Sequence, residues 1–178
     1  MFQKILVAMD RSSTAQAVFD RAVILAQAMN AHLMLLHVLS ADDLGGAGVP
    51  MYPYISFFPP IDDTAWDAYR KQWDTFEKEG LKRLQDYTKQ ATKEGIKTEF
   101  TQTGGMPGPI ISKLAKTWNA DLILMGSHGR KGLHELFLGS VSNYVMHHAP
   151  CSVLIVHPRE QSNFQSNQAQ QGEFASLH

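Results

Sequence analysis

One cysteine, Cys151, is all the thiol that this chain of 178 residues carries. That excludes an internal disulfide and a zinc site built on several cysteines. Cys151 opens an apolar run, which favours a small buried residue over a reactive thiol. Net charge is equally scarce: 16 basic and 17 acidic side chains leave −1. Such a balance gives no electrostatic footprint for nucleic acid or for an anionic membrane surface. No apolar run is long enough to span a bilayer. The opening stretch MFQKILVAMD reaches Asp10 after too few apolar residues for a signal peptide, so a cytoplasmic location is expected. The histidines at 32, 37, 134, 147, 148, 157 and 178 have no metal-ligand spacing. His147 and His148, adjacent on a helix, would point about 100° apart. Two phosphate motifs are missing as well. No Gly-Lys-Ser/Thr follows a glycine loop, and Gly126-x-x-Gly129 lacks the first glycine of the dinucleotide fingerprint.

What is present is 44% hydrophobic, enough for a sizeable core in one domain, expected over residues 1–158. Residues 2–9 and 32–39 are continuous apolar runs, as strands covered on both faces require. Residues 13–29 lie between them, with Val18, Ala22, Leu25, Ala26 and Met29 at helical spacing. Ser12 or Ser13 is the expected cap of that helix. This β-α-β opening argues for a parallel sheet. Residues 63–94 read as a long helix with Trp66, Tyr69, Trp73, Phe76, Leu84 and Tyr87 along one stripe, softened at Gly80 and ended at Gly95. A more polar third strand is expected over 96–102 and a turn over 104–109. A short helix marked by Ile110, Ile111, Leu114 and Ala115 follows, ending by Asn119. Strands over 121–125 and 152–157 flank a last helix at roughly 139–148. The sum is a doubly wound α/β fold. Residues 40–62 stand apart, rich in glycine and proline yet aromatic. They read either as a loop folded on its own domain or as a lid or partner surface. Residues 159–178 are polar and expected to be disordered.

The most informative stretch is Gly126–Ser142, GSHGRKGLHELFLGSVS. It follows the apolar run Asp121–Met125 and leads into the last helix. A strand, a glycine-rich turn and a helix start bearing hydroxyls together form a cradle for phosphate. Glycines let backbone N–H groups approach an anion, and the first turn of a helix points its unpaired N–H groups at it. Ser140 and Ser142 bring hydroxyls, and Arg130 or Lys131 brings charge. The plain alternative is a tight turn and a helix end. In a doubly wound sheet, ligands bind beyond the carboxyl ends of the strands where strand order reverses. With order 3-2-1-4-5 that point lies between the strands ending at Asp10 and Gly126. Asp10 can then accept hydrogen bonds from ribose hydroxyls or an adenine amino group; its alternative role is capping the first helix.

The pattern Gly126, two residues, Gly129, nine residues, Gly139-Ser140 resembles the universal stress protein family in its ATP-binding branch. The preceding Asp-Leu-Ile-Leu-Met and the following His-Ala-Pro-Cys-Ser-Val-Leu-Ile-Val resemble it too. The likeness runs over residues 1 to 158 and is weakest across 40–62. It implies a five-stranded parallel sheet in the order 3-2-1-4-5, ATP with or without Mg²⁺ as ligand, and AMP or cyclic AMP as other occupants of the same site. It also implies a homodimer paired through the fifth strand, Ser152–His157. Carried onto this chain, Asp10 meets the adenosine end and Val38 contacts adenine through its backbone. Gly126, Gly129, Gly139 and Ser140 hold ribose and phosphates, with the backbone of His128, Arg130 and Val141 nearby. Ser142 supplies a further hydroxyl, and Met125 belongs to the same set.

Three functions follow from these residues. The first is a nucleotide-binding regulatory module of the stress response. The second is a slow Mg²⁺-dependent ATPase, with charge from Arg130 and Lys131 and His128 as its only base in the loop. The third is a nucleotide-free interaction protein working through residues 40–62. The full glycine set favours nucleotide binding over the third.

Overall fold

The computed structural model describes residues 2–40, 63–127 and 138–157. The elements are β1 (Lys4–Met9), α1 (Ala15–Met29), β2 (His32–Leu39), α2 (Asp63–Lys93), β3 (Thr98–Gly104), α3 (Pro107–Trp118), β4 (Leu122–Gly126), α4 (Ser140–His148) and β5 (Ser152–Val156). All strand pairs are parallel, and the sheet order is β3-β2-β1-β4-β5. The expected reversal between β1 and β4 is therefore present.

Alternation along β1 divides the core in two. Ile5 and Val7 face α1 and α2, where they pack with Phe19, Ala22 and Leu84. Leu6 faces α3 and α4, against Ile111, Ala115 and Val145. The central strands are buried on both sides, which is why their sequences are unbroken apolar runs. The outer strands differ: β3 is largely polar, and β5 leaves Leu154 39% exposed.

Four local expectations need correction. β3 runs two residues later than 96–102, because its ladder with β2 continues to Leu39↔Gly104. The chain turns at Gly105, whose φ of +138° favours glycine. α3 begins at Pro107 rather than near Ile110, since a first-turn proline needs no N–H partner. Neither Ser12 nor Ser13 caps α1; its N-cap is Thr14, which makes no side-chain cap bond. Gly80 does not soften α2, which runs unbroken through it. It is buried, and a Cβ there would lie 2.5 Å from Gln102 Oε1 and 2.6 Å from His37 Nδ1. Glycine is what lets α2 sit directly on β2 and β3. Cys151 is half-buried; burial first, and Asp121 second, push its thiol pKa up.

At the amino-terminal edge of the sheet, His32 meets the edge of Trp118 with centroids 5.3 Å apart. Its Nε2 lies 3.2 Å from Glu99 Oε1 but off the hydrogen-bonding direction. Burial lowers its pKa below 6.5; Glu99 opposes the shift, while Lys97 and Lys4 add to it. A depressed folded-state pKa means that the unfolded chain binds the proton more readily. The contribution of neutral His32 is thus complete above pH 6.5 and lost as pH falls through the folded pKa. His32→Gln should show a shallower fall of Tm below pH 6.5 than the wild type, read by calorimetry. Equal slopes would contradict this.

Candidate functional site

The strand ends arrange the site. Register pairs Met9 with His37 on one side and Ala8 with Met125 on the other. One step further along β1, Asp10 is level with Val38, and Gly126 is level with Met9. Val38 and Gly126 therefore flank the carboxyl end of β1, at Asp10 and Met9, across two strand spacings, about 10 Å, the scale of a nucleoside.

Asp10 is held by its own turn. Its Oδ1 accepts from the Ser12 amide at 3.1 Å and from the Ser12 hydroxyl at 2.6 Å. The Ser12 proton is thereby engaged, so at the 2.7 Å contact between the two hydroxyls Thr14 is the donor. This local bonding replaces the capping of α1 and fixes the carboxylate. Its Oδ2 has no hydrogen-bond partner among the described residues. Asp10 thus presents one fixed acceptor at the switch point.

Across the switch point, the ends of the glycine-rich segment are clipped together. The carbonyl of Ser127 accepts from the Gly139 amide at 2.8 Å and from the Ser142 hydroxyl at 3.0 Å. The Ser127 amide donates to Val156 at 3.0 Å, tying the clip to β5. Ser142 is buried, and its hydroxyl also lies 2.9 Å from the Gly139 carbonyl. Its single proton is shared between these two carbonyls, one just past β4 and one at the N-cap of α4. Gly139, the N-cap, makes no side-chain cap bond. The amides of Ser140, Val141 and Ser142 have no backbone partner among the described residues, so α4 presents its positive end at the mouth of the clip.

Of the sequence-based candidates, the structure brings together Asp10, Val38, Met125, Gly126, Gly139, Ser140, Val141 and Ser142 at the carboxyl ends of β1, β2 and β4. The side chains of Val38 and Met125 are buried in the α3/α4 core, and Met125 is paired with a strand on each side, at Ala8 and Ile155. His128, Gly129 and Arg130, with Lys131 and His134, lie outside the described residues. So do residues 41–62 and 159–178. Among the described residues no group of three or more His, Cys, Asp or Glu side chains could hold a metal ion.

Sequence reasoning missed the scaffold behind Asp10. Arg11 pairs with Glu79 at 3.0 Å and lies 5.0 Å from the Phe76 ring centroid. Gln102 bridges His37 Nδ1, at 3.1 Å, to the Glu77 carbonyl, at 2.9 Å. No spacing signals these contacts, because each joins elements far apart in the chain.

The comparisons fit this geometry. Residues 1–157 match the universal stress protein family. The chain belongs to that family. Among curated universal stress proteins, Sll1388 of Synechocystis is 37% identical over 87% of this chain and 97% of its own length. Among solved structures, hypothetical protein MJ0577 shares a TM-score of 0.69 at 24% identity, covering 90% of this chain and 99% of its own. The family protein At3g01520 of Arabidopsis thaliana, solved with AMP bound, has a TM-score of 0.58 at 19% identity, covering 94% and 98%. A universal stress protein in complex with cAMP has a TM-score of 0.56 at 23% identity, covering 89% and 99%. Universal stress proteins solved with AMP or cAMP bound thus share this chain's fold.

Proposed function

We propose that this universal stress protein binds an adenine nucleotide, ATP foremost, as a regulatory module of the stress response. The observation that carries the reading is the opposition across the β1/β4 switch point. On one side stands Asp10, with Oδ2 unpartnered; on the other stands the uncapped amino end of α4. A nucleotide has the matching polarity. Its ribose hydroxyls or amino group would donate to Asp10, and its phosphates would accept from the amides of Ser140 and Val141. The Val38 backbone would meet adenine at the level of Asp10. Gly126 and Met125 would form the floor, and His128, Gly129 and Arg130 would complete the phosphate side. Ser142 acts as the strut beneath rather than as a donor. Mg²⁺ would ride on the phosphates, since the described residues hold no carboxylate cluster for it. The AMP-bound and cAMP-bound relatives support the ligand class. The described residues contain no helix long and apolar enough to cross a membrane, and the reading takes the cytoplasmic nucleotide pool as the source of ligand.

NMR mapping tests the site. Titration with ATP should move amides at 10–14, 38–39, 126–127 and 139–142. Shifts confined to the amino-terminal edge, around His32 and Trp118, would overturn the assignment.

Occupancy would act through assembly. β5 pairs only with β4 among the described residues, and its Leu154 is 39% exposed with Val153 and Ile155 half-buried. An apolar edge without a charge is suited to pairing with a second copy across a two-fold axis. Leu154→Lys should shift the protein from dimer to monomer in sedimentation at low micromolar concentration. An unchanged sedimentation coefficient would remove β5 from the interface.

A further inference from the structure

The adenosine end of the proposed site is keyed to one short stretch of α2, and the contacts that do so form a connected set. Arg11, next to Asp10, has its guanidinium over the Phe76 ring at 5.0 Å and its charge paired with Glu79 at 3.0 Å. Phe76 is 2% exposed, so the platform under Arg11 is fixed. The same ring meets His37 edge-on, centroids 5.8 Å apart, and also meets Trp73 at 6.1 Å. His37 immediately precedes Val38. Gln102 then ties His37 to the backbone of α2 at Glu77. Gly80 closes the stretch, with no room between its backbone and His37. Asp10 and Val38, on neighbouring strands, are thus both referred to residues 73–80.

We propose that Arg11 is a positioning residue for nucleobase recognition, fixing Asp10 relative to Val38 through the 73–80 stretch of α2. The proposal rests on the nucleotide-binding reading above and adds how the base is selected. The planar guanidinium serves both contacts at once, lying over Phe76 while its N–H group meets the Glu79 carboxylate; a lysine can keep the charge but lacks the fork that holds both contacts in place. The Arg11–Glu79 pair is partly exposed, with side chains 30% and 51% accessible, so its value for global stability is small. Its effect is local, on the 10–14 turn. When that tether is cut, Asp10 gains freedom that ligand binding must remove, and the fixed spacing that separates one purine from another is lost. Phosphate contacts, made on the far side by α4, do not depend on it.

The test is calorimetric titration of the full chain with ATP and with GTP, for wild type, Arg11→Ala and Arg11→Lys. The wild type should prefer ATP. Arg11→Ala should shrink that preference about tenfold, the size of coupling within one side-chain network. It should weaken ATP more than GTP, and Arg11→Lys should recover only part. A Tm within a few degrees of wild type would show that the fold is retained. An unchanged ATP-to-GTP ratio in Arg11→Ala overturns the proposal, whether both affinities hold or fall together. So does a wild type that binds both equally. A wild type that binds neither nucleotide fails at the earlier reading, and takes the proposal with it. Glu79→Gln is the second variant: it keeps shape, removes the charge pair, and should move the ratio in the same direction by a smaller factor.

Discussion

Gly80→Ala is expected to destabilise the protein, although alanine is the better helix former. Propensity alone favours alanine by about 1 kcal/mol in a helix interior. Here the new methyl would lie 2.5 Å from Gln102 Oε1, 2.6 Å from His37 Nδ1 and 2.8 Å from His37 Cε1. His37 is 4% exposed and has little space to retreat. Gln102 holds the Glu77 carbonyl at 2.9 Å, so it cannot move without breaking that bond. Overpacking of a well-filled site costs roughly 1–3 kcal/mol, and a lost hydrogen bond adds about 1 kcal/mol. The net loss is then about 1–3 kcal/mol, a fall in Tm of several degrees for a chain of this length. Gly80→Val should cost more. Lys78→Ala, on the exposed face two residues earlier, should change Tm little. A rise in Tm for Gly80→Ala would mean that α2 does not seat on His37 as described.

Asp10→Ala should cost the most in ligand affinity. The carboxylate offers a charged acceptor, and a hydrogen bond to a charged group carries roughly 1.5–3 kcal/mol. Loss of it weakens binding by about 10- to 100-fold. The substitution also frees the Ser12 hydroxyl and amide, which now bond Oδ1, so the turn loses its internal tie. Asp10→Asn separates the two effects. It keeps an acceptor oxygen for Ser12 but removes the charge, so its affinity should fall between wild type and Asp10→Ala. Asp10→Asn, which keeps the acceptor for Ser12, should move thermal stability little, whereas Asp10→Ala should lower it modestly through the two lost bonds. Titration calorimetry with ATP reads the series. Equal affinity across all three proteins would exclude Asp10 from the site.

Much of this architecture is written locally. The runs at β1, β2 and β4 are apolar without interruption because those strands are covered on both faces, so their place at the centre could be read directly. The β1/β4 switch point, and with it the adjacency of Asp10 and Gly126, needed the strand order, which came from the family resemblance rather than from any local pattern. Other features depend on tertiary contact. Pro107 reads as part of a turn among glycines, and only its position at the start of α3 makes it helical. Gly80 reads as a weak point because its neighbours, His37 and Gln102, arrive from two other elements. Ser142 reads as one more hydroxyl for a ligand. Its engagement with the Ser127 carbonyl becomes visible only when β4 and α4 are set side by side. Ser12 reads as a cap, until Asp10 is seen to take its proton. In each case the residue type was suggestive, and the partner decided the role.

The most direct test is titration calorimetry of the wild-type protein with ATP, AMP and cyclic AMP, with and without Mg²⁺. The account predicts saturable binding of ATP, with AMP weaker because it leaves the α4 end less fully used. Loss of binding by all three nucleotides in a folded protein would contradict the account, and would leave the switch point of this universal stress protein without its proposed ligand.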